Sequence, residues 1–151
     1  MNVNTSKDSS SDLTSTIHLS QLRPVPGSSQ LEAALEKLSP EEARIIAQLS
    51  PDKAMLIGVS GPSKGFRYLL SQDVSRIGRE VGLDISLDDV TVSRKHAEIV
   101  IENGTFVLKD SKSLNGTYVN AVSVDSIALQ HGDQIQIGKF RFIFFSGKVN
   151  S

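Results

Sequence analysis

The chain has 151 residues with 16 basic and 17 acidic side chains, so its formal charge is −1 and a broad nucleic-acid-binding surface is excluded. Its length suits one folded core and a tail rather than two full domains. Cysteine is absent, which removes disulfide frameworks, thiolate chemistry and zinc ribbons, and the separated His18, His96 and His131 give no metal-ligand spacing. No run approaches about 18 apolar residues, and no charged segment followed by an apolar one opens the chain. The composition therefore reads as a soluble cytoplasmic protein without cofactor, metal, nucleic-acid or membrane partner.

Residues 1–28 read as a disordered polar tail. Eight of the first 16 positions are Ser or Thr, with Lys7, Asp8 and Asp12 as the only charges, too little apolar surface to offset the entropy of ordering. Asp12-Leu13-Thr14-Ser15-Thr16-Ile17 places hydroxyls beside isolated apolar residues, the pattern of a kinase-accessible motif; a plain solvated leader has the same composition. Arg23-Pro24-Val25-Pro26-Gly27 ends the segment.

Two helical patterns follow within residues 29–51. Ser29 with Glu32 makes one capping box, and Leu31, Leu35 and Leu38 fall on one face. Ser39-Pro40-Glu41-Glu42 supplies a second cap, with proline at the first helical position and acids at the positive helix end; Ile45, Ile46 and Leu49 form its apolar face. Helices this short need a surface to pack on, either each other and the folded domain or a partner.

From residue 52 to 148 the period becomes strand-like. β-type runs are predicted at Ala54 to Ser60, Phe66 to Ser71, Val74 to Arg79, Asp84 to Leu87, Ala97 to Glu102, Thr105 to Asp110, Thr117 to Asn120, Gln134 to Ile137 and Phe140 to Phe145. Asn103-Gly104 is a two-residue hairpin signal, and Gly61-Pro62-Ser63-Lys64-Gly65 is a turn that lacks the G-K-[ST] ending of a phosphate-binding loop. Many short strands without intervening helices predict an all-β, antiparallel sandwich preceded by a disordered tail and two short helices.

Three signatures stand at the ends of these runs: Ile77-Gly78-Arg79, Val92-Ser93-Arg94-Lys95-His96 and Ser113-Leu114-Asn115-Gly116-Thr117. Arg79 and Arg94 carry permanent cations whose forked donors match phosphate oxygens, and the hydroxyls of Ser93 and Ser113 add neutral donors. The Asn115 carboxamide both donates and accepts, as a clamp on peptide backbone does, while Asn115-Gly116 equally fits an ordinary tight turn. No nucleophile with an orienting third group assembles around His96, so no enzyme is read here.

G-R, then S-x-x-H, then N-G in this order resembles the forkhead-associated (FHA) domain family, a phosphothreonine-reading β-sandwich with its binding loops at one end. The resemblance implies that Arg79, Ser93 and Arg94 hold the phosphate, that Ser113 and the backbone at Leu114 face them, that Asn115 grips the peptide, and that Gly78, His96 and Gly116 are structural. Leu114 stands where many members carry threonine. Leu87-Asp88-Asp89-Val90-Thr91-Val92-Ser93-Arg94, Ser113 to Asn120 and Ile135 to Arg141 resemble more narrowly the small actinobacterial regulators of the 2-oxoglutarate dehydrogenase inhibitor and glycogen accumulation regulator type.

That likeness implies a Ser/Thr kinase that phosphorylates the tail, with Thr14 the first choice and Thr16 the second. The phosphorylated tail would bind the protein's own FHA domain. The unphosphorylated form would inhibit the E1 component of 2-oxoglutarate dehydrogenase, and by the same likeness other glutamate-pathway enzymes. The alternative is a generic adaptor that recruits phosphothreonine-containing kinases or other proteins. From Thr14 to Leu56 the chain runs 42 residues, which as a flexible tether would reach about 35 Å.

Overall fold

Two strands break the alternation that the others keep, and they show how the layers are built. Along most strands every second side chain is buried, as a half-covered sheet requires: Ala97 and Ile99, Phe106 and Leu108, Ile135 and Ile137. In Ala54–Ser60 and Phe140–Ser146, by contrast, nearly every residue is buried, because both faces of these strands are covered.

The computed structural model describes residues 28–147. Thr14, Thr16 and the other residues of the predicted tail up to 27 lie outside the described residues, as does Lys148. Helices α1 (Ser28–Glu36) and α2 (Pro40–Ala47) precede eleven strands: β1 (Ala54–Ser60), β2 (Arg67–Leu70), β3 (Val74–Gly78), β4 (Ile85–Ser86), β5 (Ala97–Glu102), β6 (Thr105–Asp110), β7 (Thr117–Val119), β8 (Val122–Val124), β9 (Ser126–Ala128), β10 (Gln134–Ile137) and β11 (Phe140–Ser146). One sheet has the order β2-β1-β11-β10-β7-β8, the other β4-β3-β5-β6-β9. Their facing sides enclose a core that includes Leu56, Leu70, Ile77, Ile99, Leu108, Ile135, Phe142 and Phe144.

The outer faces of β1 and β11 carry a second cluster of Met55, Ile57, Ile143 and Phe145, and the helices cover it with Ala34 and Ile46, flanked by Leu38, Ile45 and Leu49. The helix faces thus pack on the folded domain. Helix α2 starts as its sequence dictates: Ser39 Oγ accepts from Glu42 N at 3.1 Å, and Glu42 Oε1 accepts from Ser39 N at 3.0 Å. The other oxygen of Glu42 takes the Arg67 Nε–H at 3.1 Å, fixing the helix to β2.

Several expectations need correction. Helix α1 already begins at Ser28, so Ser29 lies inside it rather than before it. Its buried residue against the second cluster is Ala34, whereas Leu35 is 41% exposed, because the side of α1 turned to the sheet is centred one position earlier than the leucine spacing implies. The sandwich is not wholly antiparallel, since β3 and β4 pair in parallel through Ile77–Ile85 and Gly78–Ser86. Strands β8 and β9 were not anticipated: each has three residues, too few for an alternation to stand out, and they exist because β7 and β6 offer open edges.

Asn103 and Gly104 close the β5–β6 hairpin with φ of 53° and 79°, as that dipeptide predicts. The β7–β8 hairpin uses Asn120 (φ 50°) and Ala121 (φ 70°), which puts a Cβ in the left-handed region. Ala121→Gly is therefore expected to stabilise the protein by about 0.5–1 kcal/mol in urea denaturation, the left-handed penalty less the extra chain entropy of glycine.

Candidate functional site

Three loops gather at one end of the sandwich: the turn after β3, the β4–β5 loop (residues 87–96) and the β6–β7 loop (residues 111–116). The first two touch because Gly78 has no side chain. A Cβ there would come within 2.0 Å of the Arg94 carbonyl oxygen and 2.8 Å of Leu83 Cδ1. With that approach allowed, Arg79 N donates to Ser93 O at 2.9 Å and Glu80 N to Arg94 O at 3.3 Å.

The other junction is made by His96, which is fully buried. Its Nδ1 accepts from Ser93 N at 3.1 Å, so Nε2 carries the proton and donates to Gly116 O at 2.9 Å. One neutral imidazole thus ties the two long loops together. Ser93 Oγ accepts from Leu114 N at 3.0 Å, and Asn115 Nδ2 donates to Thr91 O at 3.0 Å, so Ser93, Leu114 and Asn115 each take part in a bond between the two loops.

Each loop is also braced by its own aspartate. Asp89 accepts from the amide and hydroxyl of Thr91 and pairs with Lys139 Nζ at 2.9 Å. The Thr91 hydroxyl bond, followed by Lys139, lowers its pKa to about 2. Asp110 accepts from the amide and hydroxyl of Ser113 and from Thr117 Oγ1; burial alone would raise its pKa, but these hydrogen bonds hold it below the usual carboxylate value. Ser113 Oγ in turn accepts from Gly116 N at 3.0 Å, and Gly116 turns with φ 84°.

The predicted site residues are therefore brought together with different duties. Arg79 is half-buried and Arg94 exposed, and among the described residues neither guanidinium is paired. Asn115 and Leu114 are exposed beside them. The Ser113 hydroxyl is spent inside its own loop. Asp89, Asp110, Thr91 and Lys139 were not singled out beforehand, although D-x-T and D-x-x-S are the spacings at which an aspartate caps nearby backbone amides. Nor were Val81, Val90 and Leu114, one on each of the three loops and each more than four-fifths exposed. Among the described residues no cluster of His, Asp or Glu is placed to hold a metal.

The FHA domain model matches residues 75–138. The glycogen accumulation regulator GarA of Mycobacterium tuberculosis is 55% identical over 87 residues, which is 58% of this chain and 54% of GarA. The oxoglutarate dehydrogenase inhibitor of Corynebacterium efficiens is also 55% identical over 87 residues, 58% of this chain and 61% of that protein. The alignments thus span only about half to three-fifths of these relatives. A crystal structure of the FhaA FHA domain complexed with the intracellular domain of Rv3910 superposes with TM-score 0.55 at 33% identity, covering 60% of this chain and 98% of that one.

Two outcomes follow from the bracing. His96→Leu removes the partners of a buried amide and a buried carbonyl and is expected to cost about 2 kcal/mol or more in urea denaturation. Asp89 has a depressed folded pKa, so its contribution is complete above the ordinary value of about 3.9 and is lost as pH falls towards 2. A carboxyl NMR titration should place its midpoint near 2, and Thr91→Val should move that midpoint upward.

Proposed function

The chain belongs to the FHA domain family, and on that premise we propose that it is a non-enzymatic, phosphothreonine-binding regulator whose ligand includes its own N-terminal tail. The observation that carries this reading is the junction of Ser93 Oγ with Leu114 N beside Asn115 and two arginines that have no partner among the described residues. A phosphate arriving there meets permanent cations and the serine hydroxyl without displacing any carboxylate from Arg79 or Arg94. Asn115, anchored by its amide to Thr91 O, keeps its carbonyl oxygen for a peptide N–H. Ser113 acts as a brace for the loop that presents Leu114, rather than as a direct phosphate contact.

Thr14 is the proposed phosphoacceptor, with Thr16 second, for a Ser/Thr protein kinase. The tether is shorter than its residue count implies, because residues 28–47 form helices on the domain. Sixteen positions separate Thr14 from Gln30, whose side chain bonds to Asn120, and extended they span about 55 Å. Tethering of this kind gives effective concentrations up to about millimolar, so a micromolar site is mostly self-occupied once Thr14 is phosphorylated.

Unphosphorylated, the same loop end is proposed to inhibit the E1 component of 2-oxoglutarate dehydrogenase in the cytoplasm, as the name of the Corynebacterium relative implies for that protein. Val81, Val90 and Leu114, exposed on the three loops, support a protein partner at this end, since exposed apolar side chains gain from being covered by another protein. Self-occupation would cover these loops and release the enzyme. A generic adaptor for phosphorylated kinases would use the same phosphate contacts but leave the tail idle.

Calorimetry with a phosphothreonine peptide tests the site. Arg79→Ala is expected to weaken binding by about 2 kcal/mol or more and Ser93→Ala by about 1–2 kcal/mol, while the unphosphorylated peptide does not bind. An Arg79→Ala variant that folds and binds like the wild type would place the site elsewhere. For the switch, kinase-treated protein is compared by NMR with the Thr14→Ala variant treated identically. Shifts of the Arg79, Ser93 and Asn115 amides in the first alone are the expected result, and their presence in both would move the phosphosite away from Thr14.

A further inference from the structure

Beside the phosphate site, the outer face of the six-stranded sheet holds a cavity of about 730 Å³ that the reading above leaves unused. It opens at Asn115 and Thr91, crosses Tyr118 and Gln136, and reaches Ala121 at its far rim, with Arg141 on its flank and no carboxylate in its lining. Tyr118 and Gln136 are opposite each other on β7 and β10, and both point away from the core. Next to Ala121, Asn120 Oδ1 accepts from Gln30 Nε2 at 2.8 Å, near the start of α1. One groove therefore has the peptide clamp at one rim and, at the other, the point where the N-terminal segment joins the folded chain.

The distances favour use of this groove by that segment. Asn115 and Asn120 flank β7, five positions apart and so at most about 17 Å, whereas the sixteen positions between Thr14 and Gln30 far exceed that span. A tail held by phosphate at Arg79 must return to Gln30, and the groove lined by Asn115, Tyr118 and Ala121 lies open to it. Just before α1 the returning chain reads Pro24-Val25-Pro26. Prolines favour an extended helix with unpaired carbonyls, which packs on an aromatic face flanked by side-chain N–H donors. Tyr118 offers such a ring, about 7 Å from Asn120, and the Gln136 carboxamide offers the donors.

We propose that this groove seats Pro24-Val25-Pro26, so that the tail is held at two points, there and at phosphorylated Thr14. This rests on the self-binding reading of Thr14 and fixes the direction of the bound segment, its N-terminal part at Arg79 and its C-terminal part at Tyr118. Phosphate supplies the trigger; the proline contact supplies selectivity for the chain's own tail over other phosphothreonine peptides, which lack the second contact.

The test uses the full-length chain and backbone amide NMR. In kinase-treated protein the amides of Tyr118, Ala121 and Gln136 are expected to shift together with those of Arg79, Ser93 and Asn115. A free phosphopeptide of residues 8–19, phosphorylated at 14 and added to the Thr14→Ala chain, is expected to move the second set only. In the phosphorylated Pro24→Gly, Pro26→Gly double variant the groove shifts should vanish while the site shifts remain. The concentration of free phosphopeptide that displaces half of the tail should then fall about fivefold, the factor given by roughly 1 kcal/mol of lost contact. Groove amides that stay still while the site amides move overturn the groove assignment and leave the switch standing. Groove shifts produced by the short peptide, or retained in the double-glycine variant, also overturn the assignment. If neither set moves in the phosphorylated chain, both the groove and the self-binding switch are wrong.

Discussion

A single neutral imidazole joins the two loops that form the site, and the arrangement of every binding residue depends on it. His96 spends one ring nitrogen on the Ser93 amide and the other on the Gly116 carbonyl, and its complete burial keeps water from competing for either bond. Because the ring is rigid, the separation of the two backbones is set by its width. Ser93 Oγ then meets Leu114 N, and the Asn115 amide meets Thr91 O, with no further adjustment.

Around this bridge two aspartates are spent on shaping the loops. Asp89 is held by Thr91 and by Lys139 of the β10–β11 turn, and Asp110 by Ser113 and Thr117. Among the described residues neither Arg79 nor Arg94 has a carboxylate partner, although Glu80 and Asp88 stand exposed on the same loops. A nearly neutral chain thus presents two adjacent cations without any excess of basic residues in its composition.

The helical segment has a comparable economy. β1 and β11 present Met55, Ile57, Ile143 and Phe145 on the side of the sheet that would otherwise meet water, and α1 and α2 cover them. The Glu42–Arg67 pair and the Gln30–Asn120 bond fix the helices at their two ends. Their location sets where the N-terminal segment joins the domain, close to β7 and on the same sheet as Asn115, which makes the outer groove the short way between tether and site.

Much of this was legible in the residues. The sandwich class, nine of the eleven strands to within one residue at each end, the Asn103-Gly104 hairpin and the Ser39 capping box all follow from signals confined to neighbouring positions, where period, cap or turn chemistry acts within a few residues. The three loop signatures were visible for the same reason, since each is a short run of specific side chains. What the sequence alone could not decide were relations beyond the local run: that Asp110 consumes the Ser113 hydroxyl, that Ala34 rather than Leu35 packs on β11, and that β3 and β4 run parallel. Linear spacing determines which backbone shape a segment prefers, but the partner of a hydroxyl or a methyl is whatever the fold brings within a few ångströms. Only the closed sandwich, by forcing residues 20 or more positions apart into hydrogen-bond range, determined that Ser93 faces Leu114 and that His96 stands between them.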